Sequence, residues 1–154
     1  MATIREEAQA LRAGLIGRWI TLSEVVSWAD ARIAEDAGRE TPQLFDLALL
    51  RADAVGQAVS LLGSVPGPWN PGAVGRRIAV LVHRGLRTGA LTERQAATAL
   101  YVALREGLSP DAEFEGMAYY FDDGVDLANN GVFGSLAELR VEMLDYLSRV
   151  DDSA

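Results

Sequence analysis

Apolar residues recur every three or four positions along almost the whole chain, and that period constrains the fold more than any other feature. Ile4, Ala8, Leu11 and Leu15 share one helical face, with Gly14 as a natural stop. Leu22, Val25, Val26, Ala29 and Ile33 repeat the pattern behind Thr21 and Glu24, spaced as a capping box. In that arrangement two side chains reciprocally satisfy backbone N–H groups that a helix start leaves unpaired. Thr41-Pro42 reads as the cap and first residue of a short helix carrying Leu44, Leu47 and Ala48. Asp53 is a candidate cap for a fourth, with Val55, Ala58, Val59 and Leu62 facing inward.

A break follows at 63–72, where three of the five prolines fall and through which no helix can run. Beyond it, Asn70-Pro71 opens a helix with Val74, Ile78, Leu81, Val82 and Leu86 on its apolar face. Thr92 and Gln95 form a second capping box, ahead of Ala97, Leu100, Tyr101, Leu104 and Leu108. Ser109-Pro110 opens a longer helix with Phe114, Met117, Ala118, Phe121, Val125 and Ala128, and Asn129-Asn130-Gly131 ends it. Ser135 and Glu138 cap the last, which carries Leu136, Leu139, Met143, Leu144 and Leu147. β-Branched clusters such as Val25-Val26 sit inside helical periodicity and not in alternating runs, so no strand is expected. The pattern predicts an all-α fold: a compact single-domain bundle of seven to eight short helices with mixed crossing angles. The domain is expected over 1–150, with the Pro/Gly-rich loop between two helical halves and a disordered tail at 151–154.

Composition narrows the function classes. The chain has no cysteine, which excludes disulfides and thiolate metal sites. No run reaches the ~20 apolar residues a membrane span needs. The opening MATIREEAQALR carries acids and lacks the apolar stretch of a secretory signal. A cytoplasmic protein with no membrane partner is the expectation. All 14 basic residues are arginine, matching the codon bias of a GC-rich bacterial genome.

His83 is the single histidine. Its position falls away from Val74, Ile78 and Leu81, among Arg76, Arg84 and Arg87, where a positive field disfavours protonation and makes a poor general acid. An exposed surface histidine is expected. No glycine-rich phosphate loop with a following lysine is present. An enzyme is therefore not expected, nor is a cofactor, a metal or a small-molecule substrate. The run from Asp122 to Gly131 invites a calcium loop starting at Asp126. Ala128 and Ala137 then stand where an oxygen ligand and a bidentate glutamate are required.

Charge is more informative. The net charge of −8 divides into −3 over 1–75, +5 over 76–105 and −10 over 106–154. On the long C-terminal helix Asp111, Glu115, Asp122 and Asp126 share one stripe with Tyr119, and Tyr120 stands one position round. Like charges along a face destabilise a helix slightly. Interleaved with tyrosine, they suit a surface that steers and docks a basic protein. The stripe alternatively faces solvent, or packs against the arginine-rich helix at 76–87. Trp69, in the Pro/Gly loop, reads equally as a core lid or an exposed partner anchor. Arg76, Arg77, Arg84 and Arg87 form an alternative contact strip, although net charge disfavours nucleic acid.

With this overall charge and the stretch from Asp111 to Asp126, together with Tyr119 and Tyr120, the chain resembles small, acidic, all-helical bacterial immunity proteins. The resemblance is one of type and carries no family-specific motif. It implies a cognate basic toxin domain, often a nuclease, blocked by direct binding. The expected function is a non-catalytic protein-binding module of this kind. The alternative is a structural or regulatory subunit of a larger assembly that uses the Arg76–Arg87 strip and Trp69 as contacts.

Overall fold

The computed structural model describes residues 2–35 and 39–153. They form eight helices and no strand: α1 (Ile4–Ile16), α2 (Leu22–Ala34), α3 (Gln43–Ala48), α4 (Val55–Gly63), α5 (Pro71–Thr88), α6 (Glu93–Arg105), α7 (Ala112–Asn129) and α8 (Leu136–Ser153). The all-α expectation holds, and the chain divides into two units inside the Pro/Gly-rich break, Ala2–Trp69 and the unit beginning at Asn70.

Helix ends follow the cap chemistry. Thr21 and Thr92 form the expected boxes with Glu24 and Gln95, and α1 opens on a third, Thr3 with Glu6. The Asn70 side chain accepts the Ala73 N–H at 3.1 Å, with Pro71 as the first helical residue. Ser135 accepts the Glu138 N–H at 3.1 Å. Four starts and stops differ from expectation. Thr41 does not cap α3, which begins at Gln43 with Pro42 as its cap and no side-chain bond. Gly14 does not end α1, which runs on to Ile16; it is buried within the helix, and Ile20 fills the space a side chain would need. Asp53 does not cap α4, whose cap is Ala54 without a side-chain bond. Ser109-Pro110 lies ahead of α7, and Asp111 caps it by accepting the Phe114 N–H at 2.8 Å.

In the first unit α1 packs on α4, α2 on α3, and α3 on α4. Leu11, Leu15, Val25, Leu44, Leu47 and Leu62 are buried. Between α1 and α2, the nearly buried Glu7 accepts from the Trp28 indole at 2.7 Å and from Arg32 Nε at 2.9 Å, and pairs with a second guanidinium nitrogen. A buried carboxylate persists only when paired and hydrogen-bonded, and Glu7 is both.

In the second unit each helix packs on its chain neighbours, and α8 returns to α5, closing a ring of four helices. Ile78, Leu86, Leu100, Phe114, Phe121, Met143 and Leu147 are fully buried there. Burial of each such side chain is worth about 1.5–3 kcal/mol. The tail expected to be disordered is instead helical as far as Ser153, because α8 is anchored near its end. Its anchor is His83, which is 7 % exposed and hydrogen-bonds Asp151 through Nδ1 at 2.8 Å. His83 is thus not the surface histidine that its arginine neighbours suggest, because α8 covers that side of α5. Arg140 donates to the Leu86 carbonyl at 2.5 Å, a second polar tie between the same helices.

The link between α6 and α7 crosses α5 at Gly75. A β-carbon there would strike the Leu108 carbonyl group, 2.9 Å from its carbon, and stand 3.1 Å from the Pro110 ring. Backbone cannot yield as a side chain can, so Gly75→Ala should destabilise the chain by about 1–3 kcal/mol. A lowered urea midpoint at unchanged m-value would show it.

Candidate functional site

The acidic helix α7 has three faces. Phe114, Ala118, Phe121 and Val125 point inward and are buried. The two flanks meet α6 on one side and α8 on the other, and each flank holds a different part of the acidic set.

On the α6 side the stripe is engaged at two points, Asp126 and Tyr119. Asp126 pairs with Arg94. Two turns further along both helices, Tyr119 meets Tyr101 edge-on, with centroids 5.9 Å apart and planes at 72°. Arg105 then lies 5.8 Å over the Tyr101 ring and donates to its hydroxyl at 3.2 Å. The pairs 94–126 and 101–119 step by equal amounts along antiparallel helices, so one register serves both. The arginine that pairs with the stripe, Arg94, belongs to α6 and not to the 76–87 helix that the charge pattern brought to attention. Only the N-terminal end of the stripe reaches α5, where Arg76, Asp111, Glu113, Tyr146 and Arg149 surround a depression of about 90 Å³. Burial, then Asp111 and Glu113, push the Tyr146 hydroxyl above its ordinary pKa.

The remaining residues singled out in the sequence divide in the same way. Asp111 is committed to its cap. Glu115 is exposed and has no ion pair. Asp122 is half-buried; burial and the neighbouring Asp126 and Asp123 raise its pKa, against the opposing pull of Arg94. Tyr120 faces α8, where the Glu142 carboxylate holds its proton and raises its pKa. On the alternative strip, Arg76, Arg84 and Arg87 are exposed, while Arg77 is half-buried and engaged. Trp69 is 45 % exposed in the first unit, with the Arg5 guanidinium 5.4 Å over its ring. Arg5 also donates to the Gly67 carbonyl at 2.9 Å, so the indole is held in place by its own unit.

On the α8 side the acids are less engaged. Arg149 pairs with Glu113 at 3.0 Å and lies 3.8 Å from Asp145. From Tyr120 onward this flank has no ion pair among the described residues: Asp123, Glu138 and Glu142 are all exposed. Arg140, the one base in this part of α8, is drawn the other way, towards Leu86 and Glu93. Val132 and Phe133, which the sequence reading passed over, project from the connecting turn at 70 % and 74 % exposure. Their signal was two apolar residues between Gly131 and Gly134 in an otherwise polar connection.

Among the described residues no three His, Asp or Glu side chains converge as a metal site, and no helix is long and apolar enough to cross a membrane. Comparison with protein-family models, curated proteins and solved structures returns no match.

The raised pKa of Asp122 has a consequence for stability. The folded chain holds this proton more tightly than the unfolded chain, so ionisation costs stability as pH rises through the carboxylate range. Asp122→Asn should therefore unfold at higher urea than the parent near pH 7. The two should coincide near pH 3, where the carboxyl is already neutral in both states.

Proposed function

We propose that the chain is a non-catalytic protein-binding module that docks a basic protein through its C-terminal helices. The observation that carries this reading is the imbalance of charge on α7 and α8. The α6 seam neutralises Asp126, while Asp123, Glu138 and Glu142 remain exposed without an ion pair. A protein surface that keeps like charges close together gives up some stability, and a complementary partner recovers it along with a faster, salt-sensitive association. The immunity-type form of this reading, acting in the cytoplasm, makes the partner a basic toxin domain whose working face is covered.

The assembly-subunit alternative draws support from Arg84 and Arg87, which are exposed on α5. The two readings separate on charge. The immobilised chain is expected to retain from native lysate a protein of net positive charge that elutes as ionic strength rises. Arg84→Glu with Arg87→Glu should leave that retention intact or strengthen it. Retention only of a neutral or acidic protein, lost in the arginine double variant, would overturn the basic-partner reading and favour the alternative. For the immunity form, co-expression with the retained protein should relieve that protein's toxicity.

A further inference from the structure

We propose that the turn between α7 and α8 is the anchor of this docking surface, and that it receives an apolar side chain from a basic segment of the partner. The inference rests on the protein-binding reading and places its energetic centre away from the Asp111–Asp126 stripe, at Leu127, Val132 and Phe133.

The turn is built, not loose. α7 ends in a Schellman closure: Gly131 N–H donates to the Ala128 carbonyl at 3.2 Å and Val132 N–H to the Leu127 carbonyl at 2.9 Å. Gly131 has φ +66° and Gly134 φ +70°, a left-handed conformation that side chains resist, at both ends of the Val132-Phe133 pair. The Phe133 N–H also donates to the Leu127 carbonyl, at 3.4 Å. A Schellman closure brings the residue after the glycine beside the last turn of the helix, here Val132 beside Leu127. Phe133 is left projecting, 74 % exposed. An apolar cluster fixed in place before binding costs little conformational entropy when a partner covers it.

The surroundings select the partner. Asp123 lies one turn before Leu127 on the same face of α7. Across from it, Leu139 of α8 comes within 3.0 Å of where a Gly124 β-carbon would stand, so the two helices approach closely here. That approach sets Asp123 and Glu138, both exposed, on the two helices beside the apolar tip, with Glu142 one turn further back opposite Tyr120. A second copy docking tip to tip by a two-fold axis would bring these carboxylates against their own equivalents. An anionic membrane surface would meet the same repulsion. A segment with lysines or arginines flanking an apolar side chain satisfies both the Phe133 cluster and its rim.

The test uses the full chain and a fluorescein-labelled peptide in which two leucines are flanked by arginines and lysines, with an oligo-arginine of equal charge as control. The leucine peptide should bind more tightly than oligo-arginine, and salt should weaken both. Phe133→Asp, and separately Glu138→Lys with Glu142→Lys, should each weaken the leucine peptide by about tenfold or more. Phe133→Asp should leave the urea midpoint unchanged, so that lost binding is not lost folding. Glu115→Lys with Asp122→Asn, placed towards α6, should change affinity less than the tip variants. If those stripe variants abolish binding while Phe133→Asp retains it, the anchor assignment fails and the protein-binding reading stands. If no basic peptide binds even at low salt, both fail. Binding to phosphatidylserine vesicles, or a dimer in sedimentation that Phe133→Asp dissolves, would also overturn the assignment.

Discussion

Helix α7 must satisfy an apolar interior and two polar seams at once, and the second unit is organised around that constraint. Its buried row of Phe114, Ala118, Phe121 and Val125 fixes its rotation about its own axis. Once that rotation is set, Tyr119, Asp122 and Asp126 can only turn towards α6, and Tyr120 and Asp123 only towards α8. The α6 seam supplies Arg94, Tyr101 and Arg105; the α8 seam supplies Arg149 at one end and carboxylates at the other. The unbalanced charge at the α7–α8 tip therefore follows from packing, because every nearby arginine is committed elsewhere.

The two units use charge differently. In the first, Arg32 and Trp28 surround Glu7, and Arg5 bridges the Gly67 carbonyl and the Trp69 ring, so charged groups tie segments of the unit together. Removing one partner from a nearly buried pair strands the other, which is why such groups are poor candidates for exchange with a ligand. In the second unit such ties join α5 to α8, through His83 with Asp151 and Arg140 with Leu86, α6 to α7 through Arg94 with Asp126, and α7 to α8 through Arg149 with Glu113. Beyond the Tyr120–Glu142 hydrogen bond, Asp123 and Glu138 at the α7–α8 tip have no ion pair among the described residues, and the tip also exposes large apolar side chains. Recognition surfaces combine these two properties: residues without an internal obligation, and shape held by a rigid backbone.

Most helix starts were legible because capping is local. Thr21 with Glu24, Thr92 with Gln95, Asn70 with Ala73 and Ser135 with Glu138 each place donor and acceptor within one turn, so spacing alone specifies the geometry. The misses at Thr41, Asp53 and Ser109 were local, each cap standing one or two residues further along; the others were tertiary. Gly14 stays helical because Ile20 fills the space beside it, and the Gly14 carbonyl accepts from the backbone N–H groups of Trp19 and Ile20. His83 looked exposed among arginines because the helix that buries it lies 68 positions away in sequence. The acidic stripe was visible as a pattern, but its neutralisation by Arg94 joins residues 32 apart.

Helical class, the positions of most caps, the break that separates the two units and the concentration of acid in the last third of the chain are all written in the order of residues. Each of these depends on residues within a turn or two, or on composition, and neither needs a partner in space. Packing between helices settled which acids have a partner, that α8 is anchored near its end, and that Phe133 stands outward between two left-handed glycines. Those outcomes depend on which helices become neighbours and in what register, a choice made by the shared apolar interior and not by any one segment.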